Sequence, residues 1–188
     1  MTIITDAQTI RDETATGANT AERVGGCLVD IANAIDEINS KKYCFVSGQS
    51  LVVTPISAQE TFARIVAETL YSGINTAFTV SDDCVLTATA DGIYYISVVM
   101  SASIEAGTHR VSAALGSSSV YYSDLVVDTT LSGGVSNPSQ ITMNFAVNLY
   151  VGDTVAVWVT DNDHGHDILV SKISISAVKI DRALNPDD

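Results

Sequence analysis

The residues best suited to chemistry stand together in one polar stretch, Asp161-Asn162-Asp163-His164-Gly165-His166-Asp167. Two imidazoles separated by a single glycine can turn toward one point, and neutral imidazole nitrogens ligate divalent transition metals well. A metal held through His164 and His166 is therefore one reading, and an ordinary polar turn is the other. The carboxylates Asp161, Asp163 and Asp167 offer a third reading, Ca²⁺, although their spacing departs from the D-x-[DN]-x-[DN]-G pattern of an EF-hand loop.

For catalysis the residues are poorly arranged. The chain has only three histidines and lacks G-x-S-x-G, G-x-x-x-x-G-K-[ST] and H-E-x-x-H. The neighbouring carboxylates Asp82-Asp83 fall in a predicted turn, where they serve better as turn formers than as the acid and base of a glycosidase. No enzymatic activity is expected, and a polysaccharide hydrolase is the weakest of the functional readings. Recognition is better supplied. Tyr121 and Tyr122 open a strand behind Gly116-Ser-Ser-Ser119, and aromatic faces beside hydroxyls suit sugar binding. Together with the loop residue Asn162 they are the candidates for receptor contact. Strict alternation would turn one of the two tyrosines into the core. Trp158, between Val157 and Val159, reads as packing or as a subunit contact.

The elements that must position these residues are mostly strands. Hydrophobic residues make up 46% of the 188 and charged residues only 16%, a mix that favours β-structure. From about Cys44 to Ile180, short alternating apolar runs recur near every ten residues. Strands are predicted at Leu51–Ile56, Ala77–Val80, Cys84–Ala88, Ile93–Ser103, His109–Leu115, Val120–Val127, Gln140–Leu149, Thr154–Thr160 and Ile168–Ile180. About nine strands fit a two-sheet jelly roll. The stretch from Ser57 to Tyr71 carries both a helical spacing and many β-prone residues, and a strand is favoured there.

Ahead of the strands the period changes. Ala21, Val24, Leu28, Ile31, Ile35 and Ile38 advance in alternating steps of three and four, the seam of a coiled coil, and isoleucine at both seam positions favours three or four helices over two. Val24, Leu28, Ile31, Ile35 and Ile38 are thus expected to form a stem between copies. A single helix packed on its own domain is the alternative. Gly25-Gly26 weakens the seam by about 1 kcal/mol per residue, so the helix is free to begin only after them. Residues 1 to about 18 have no sustained pattern.

Charge excludes partners more than it names them. Nine Lys and Arg against 22 Asp and Glu leave a net charge of −13, which repels nucleic acid. No basic-then-apolar leader opens the chain and no run approaches a membrane span, so membrane insertion is not expected and synthesis in a cytoplasm is. Cys27, Cys44 and Cys84 are odd in number and lack a C-x-x-C pair, and they read as reduced thiols.

Two resemblances sharpen this. Asp91-Gly92-Ile93-Tyr94-Tyr95-Ile96-Ser97-Val98, then Leu149-Tyr-Val-Gly152-Asp153-Thr-Val155-Ala-Val157-Trp-Val159, then Ile173-Ser-Ile175 resemble, in this order, the C1q/TNF-like jelly roll, over roughly residues 78 to 180. The chain departs from that family in its low aromatic content and in lacking an aromatic-rich last strand. Ile10-Arg11-Asp12-Glu13-Thr14 followed by Gly17-Ala18-Asn19-Thr20-Ala21-Glu22-Arg23-Val24-Gly25 resembles an anchoring module of fibre and baseplate proteins from crAss-like phages of gut Bacteroidota. That resemblance implies a virion protein whose N-terminus docks on phage capsid or tail proteins, with Arg11, Asp12, Glu13, Asn19 and Arg23 holding the docking turn. His164-Gly165-His166 also resembles the His-x-His rings of trimeric fibres of some tailed phages, which implies three chains supplying six imidazoles of His164 and His166 to one axial divalent metal.

The sequence is accordingly read as a mainly β protein with three parts: an anchoring segment and helical, coiled-coil stem at 1–42, a C1q/TNF-like jelly-roll knob at 43–183, and a tail at 184–188. It is expected to form a homotrimeric head or tail fibre that attaches to bacterial surface glycans or proteins. The rival is an architectural decoration or connector without a receptor.

Overall fold

In the computed structural model the described residues are 24–32, 43–49, 53–66, 70–72, 76–81, 83–105, 107–134 and 138–181. The chain divides into two compact units, Met1–Lys41 and Lys42–Asp188.

In the first unit the described part is a helix over 24–32, designated α1. It includes Gly25 and Gly26, so the helix does not wait for the glycine pair to end. Leu28 is 61% exposed, and Val24, Ile31 and the off-seam Val29 are exposed with it. One chain alone leaves this apolar surface in contact with water. Ile35 and Ile38 lie outside the described residues, as do Arg11, Asp12, Glu13, Asn19 and Arg23.

The second unit is a sandwich of two antiparallel sheets. Its strands are β1 (Tyr43–Gln49), β2 (Val53–Thr54), β3 (Ala63–Arg64), β4 (Leu70–Ser72), β5 (Phe78–Val80), β6 (Leu86–Ala88), β7 (Gly92–Ile104), β8 (Thr108–Gly116), β9 (Tyr121–Ser132), β10 (Ser139–Leu149), β11 (Thr154–Asp161) and β12 (Ile168–Asp181). One sheet has the order β10-β7-β12-β1-β4, with β2 beside the start of β12; the other runs β5-β6-β11-β8-β9, with β3 beside β11.

Alternation explains the layering. Along β7, Tyr94, Ile96, Val98, Met100, Ala102 and Ile104 are all buried while Tyr95 between the first two is exposed. The period of two sends each alternate side chain into the space between the sheets. Ile173, Ile175 and Ala177 of β12 enter the same core from one sheet, and Val111, Ala113, Leu115, Val155, Val157 and Val159 meet them from the other. Cys44 and Cys84 are buried there as free thiols; Cys27, on α1, is half-buried and free.

Most of the long strands and the short β2, β5 and β6 fall where the sequence expects them, whereas β1, β3, β4 and the far end of β9 do not. Tyr43–Gln49 pairs with both β12 and β4 although it was not expected as a strand. Between Ser57 and Tyr71 the favoured single strand is replaced by a turn at 58–60, the two-residue β3, and the beginning of β4. Glu60 stands at φ 58°, a left-handed conformation that no strand residue adopts. β9 continues to Ser132 rather than ending at Val127, because Thr108–Ala113 of β8 pair with it there residue by residue. Its Asp128-Thr-Thr sequence hides an edge strand that has only one neighbour to satisfy.

Candidate functional site

All three histidines of the chain meet at one end of the sandwich. His109 stands on the second residue of β8, and His164 and His166 stand on the loop that joins β11 to β12. One ligand atom from each of the three rings lies within 4.8 Å of the others. Ring centroids are 4.7 Å apart for His109 and His166, 5.2 Å for His109 and His164, and 5.6 Å for His164 and His166.

Register brings them together. Asp161, the last residue of β11, pairs with Val111 of β8, and His109 lies two residues before Val111 on the same face. The Asp161 side chain has no exposure to solvent. Its Oδ2 lies 3.1 Å from His109 Nδ1 and 3.3 Å from His166 Nδ1, and accepts the His166 backbone N–H at 2.8 Å. Its Oδ1 accepts the backbone N–H of Asp163 at 3.0 Å. Burial pushes the Asp161 carboxyl upward, but the backbone N–H groups of His166, Asp163 and His164 and the charge of His109 outweigh it and hold the carboxyl below its ordinary range. An ionised carboxylate only accepts, so the nitrogens of His109 and His166 that face it carry their hydrogens.

The loop is pinned on both sides. Asp163 accepts the Arg110 backbone N–H at 2.7 Å and its Nε–H at 3.0 Å, and these bonds lower its pKa, the backbone one foremost. Asp167 Oδ1 accepts the Ile56 backbone N–H at 2.9 Å, and the Asp161 carbonyl accepts that of Glu60 at 3.1 Å. Gly165 sits at φ 74°, and a Cβ there would stand 2.7 Å from the backbone nitrogen of Gln59, so the crossing of the two segments requires glycine. A second grouping with metal-ligand spacing, His109, Asp161 and Asp163, shares two of its members with the bonds just described. Asp167 is in neither grouping, which sets the expected trio of loop carboxylates apart from any common ligand set.

The receptor candidates do not gather. Asn162 donates its backbone N–H to the Arg110 carbonyl and its side-chain N–H to Ser112 Oγ at 2.6 Å, and its carbonyl accepts from Gln59. Tyr121 pairs with Gly116, at the other end of β8, roughly 20 Å away at the usual rise of a strand. Tyr121 and Tyr122 are both about one-third exposed, so neither is turned into the core as alternation had suggested. The Tyr121 ring stacks on Phe62 with centroids 4.0 Å apart, and Trp158, half-buried, donates its indole N–H to the Ser117 carbonyl at 3.1 Å. Asp83 pairs with Arg64 at 3.5 Å, and Asp82 lies outside the described residues.

A second feature lies on the outer face of the sheet that contains β1 and β12. Phe45, Tyr95, Val178 and Ile180 are 49%, 45%, 44% and 59% exposed. Tyr95 and Val178 are direct cross-strand partners, Phe45 is paired to Ser176, one step diagonally from Val178, and the exposed Ile180 stands at the irregularity between Lys179 and Asp181. They form one apolar patch at the end of the sheet where β1 begins and β12 ends. The sequence signal for it was the apolar residue at outward as well as inward positions of β7 and β12.

Neither protein-family models nor the curated proteins give a match to this sequence. Solved structures do. The chain is similar to the Eiger TNF of S. frugiperda, with 14% identity over 78% of this chain and 96% of that one and a TM-score of 0.52. It is likewise similar to the globular domain of zebrafish complement 1qA protein, with 15% identity over 76% and 98% and a TM-score of 0.51. The sandwich is a C1q/TNF-like jelly roll.

Proposed function

We propose that this protein is a non-enzymatic homotrimer in which the apolar outer patch of one knob packs against neighbouring copies, and that it serves as a fibre or knob on a phage particle. The patch is the observation that carries this reading. Four large apolar side chains exposed in one contiguous area are about the size of the largest patches on soluble monomers, a few hundred Å², and such patches are commonly interfaces. Three copies related by a three-fold axis would cover it in a closed ring, and the apolar α1 residues Val24, Leu28 and Ile31 would be covered by the α1 helices of the other copies. The C1q/TNF-like sandwich supports the same choice by analogy of fold.

The phage placement rests on the residues 10–25, which resemble a virion-anchoring module. The N-terminus would dock on capsid or tail proteins, and the knob would meet a bacterial surface glycan or protein through several weak contacts acting together. The strand ends suit this: β1 starts beside the end of β12, so the loop Asp161–Asp167 lies at the opposite end of the sandwich from the start of β1.

Light scattering on the full chain tests the assembly, and glycan-array or whole-cell binding by the trimer tests attachment. A mass of three times 19.8 kDa with retained cell binding supports the proposal. A monomer at micromolar concentration overturns it, and a trimer that binds no cell surface leaves an architectural virion component in its place.

A further inference from the structure

We infer that His109, His164 and His166 of a single chain form a binding site for one divalent transition-metal ion of the Zn²⁺ type, with Asp161 as the carboxylate that orients the rings. The site lies inside one copy of the chain, so it does not rest on the proposed assembly and it differs in kind from a ring of imidazoles on a three-fold axis.

Four observations carry it. The ligand atoms of three imidazoles already lie within 4.8 Å of one another. Metal–nitrogen distances near 2.0–2.1 Å in a tetrahedral set require ligand atoms a little over 3 Å apart, so closure needs a contraction of about 1 Å or somewhat more. The side chains of His164 and His166 are exposed, so rotation of their rings can supply that movement while the backbone and His109 stay fixed. Second, Asp161 bonds to two of the three rings, the arrangement by which metal-ligating histidines are commonly held. Third, the backbone around the cluster is set before any ion arrives, through Asp163 to Arg110 and Asp167 to Ile56. Fourth, a buried carboxylate beside the rings offsets the charge of the incoming cation, in a chain whose net charge is −13.

Three imidazoles with one carboxylate at their back select a borderline metal over Ca²⁺ or Mg²⁺, which prefer oxygen ligands. The exposed side of the cluster leaves room for water as a further ligand. Binding requires neutral imidazoles, so protons leave with it at acidic pH and affinity falls there. The ion would join the β11–β12 loop to the start of β8, a clip between segments more than fifty residues apart.

The experiment is isothermal titration of the metal-free full chain with ZnCl₂, accompanied by Co²⁺ absorption spectroscopy and thermal melts. The expected result is one ion per chain, a visible d–d band of a nitrogen-ligated Co²⁺, and a rise in Tm of roughly 5–10 °C at a hundredfold excess over Kd. The variant His164→Ala removes one ligand but leaves both ring contacts of Asp161 in place, so it should keep the metal-free Tm and lose at least tenfold in affinity along with the Co²⁺ band. One ion per three chains would overturn the inference in favour of an axial ring. Failure to bind Zn²⁺ and Co²⁺, or equal binding by His164→Ala, would overturn it outright.

Discussion

Replacing Phe45 by glutamate gives the sharpest test of the apolar face. Phe45 points away from the core on β1, and about half of its side chain is exposed in one chain. Covering that half removes on the order of 100 Å² of apolar surface from water, which stabilises an interface by about 2.5 kcal/mol per copy. A carboxylate in the same place adds the cost of an unpaired charge against apolar neighbours, at least ~1 kcal/mol and more where water is excluded. Three copies lose together, so the trimer is weakened by about 10 kcal/mol, roughly seven powers of ten in the three-body association constant. The midpoint concentration changes as the square root of that, by about three to four powers of ten. Full-length Phe45→Glu should therefore run as a monomer by light scattering at low micromolar concentration, where the proposed assembly gives the unaltered chain the mass of three copies. Because the inner neighbours Cys44 and Val46 are unchanged, its circular dichroism should be that of an intact sandwich. A Phe45→Glu chain that keeps the mass of three copies would refute the assignment of this face.

Other consequences follow from particular residues. Cys44 and Cys84 are pushed up to about 12 and about 11 by burial, with the charge of Cys84 adding to the rise at Cys44 and that of Arg64 opposing it at Cys84. A thiol whose folded pKa is raised leaves stability untouched below its ordinary value near 9 and loses it as the pH climbs from there through the folded values, by up to about 1.4 kcal/mol per pH unit for each thiol. Chemical denaturation should thus give a constant stability at pH 7–8.5 and a fall above pH 9.5, and a thiol reagent at pH 8 should modify Cys27 quickly and the other two only on unfolding. Tyr94→Phe removes the buried hydroxyl that donates to the Ala90 carbonyl at 2.7 Å, and should cost about 1 kcal/mol and a few degrees of Tm. In Gly116→Ala the new Cβ would collide with the Val120 carbonyl and Tyr121 Cα and stand 2.8 Å from the Trp158 indole nitrogen. That substitution should destabilise by about 2 kcal/mol or more and shift Trp158 fluorescence, whereas an unchanged melt and emission would show that the β8–β9 turn is looser than the packing requires.

The strands that were legible are those whose burial is decided by one face. β7, β8, β10, β11 and β12 each carry an unbroken inward row, and alternation alone locates them to within a residue or two. β3 has two residues and is a strand only because β11 runs beside it, so no local pattern could announce it. β1 failed for a different reason: Tyr43-Cys-Phe-Val-Ser alternates weakly because Phe45, an outward residue, is as apolar as the inward Cys44 and Val46. That same irregularity is the trace of the apolar face. Where a strand has apolar residues on both sides, the outward ones need a cover, and the sequence shows the need without naming what meets it.

The histidine cluster was half legible. His164-Gly165-His166 declares itself by spacing, but His109 has no neighbour in the sequence that suggests chemistry and enters the site from a point 52 residues before Asp161. What joins them is register, since β8 and β11 are paired so that Asp161 stands opposite Val111, and a slip of one residue would turn His109 to the outer face. The same register places Asn162 beside Arg110 and commits its polar groups to the Arg110 carbonyl, the Ser112 hydroxyl and the Gln59 side chain, which removes it from the exposed aromatics at Tyr121 and Tyr122. The surfaces proposed for association and for ligation are therefore separated along the strand axis. The apolar patch lies where β12 ends and the imidazoles lie where it begins, roughly 30 Å apart at the rise of an extended strand. A substitution that dissolves the trimer should leave metal binding intact, and loss of the metal should leave the trimer intact. If Phe45→Glu abolished Zn²⁺ binding as well, the two features would belong to one interface, and the ion would have to lie between copies rather than within one.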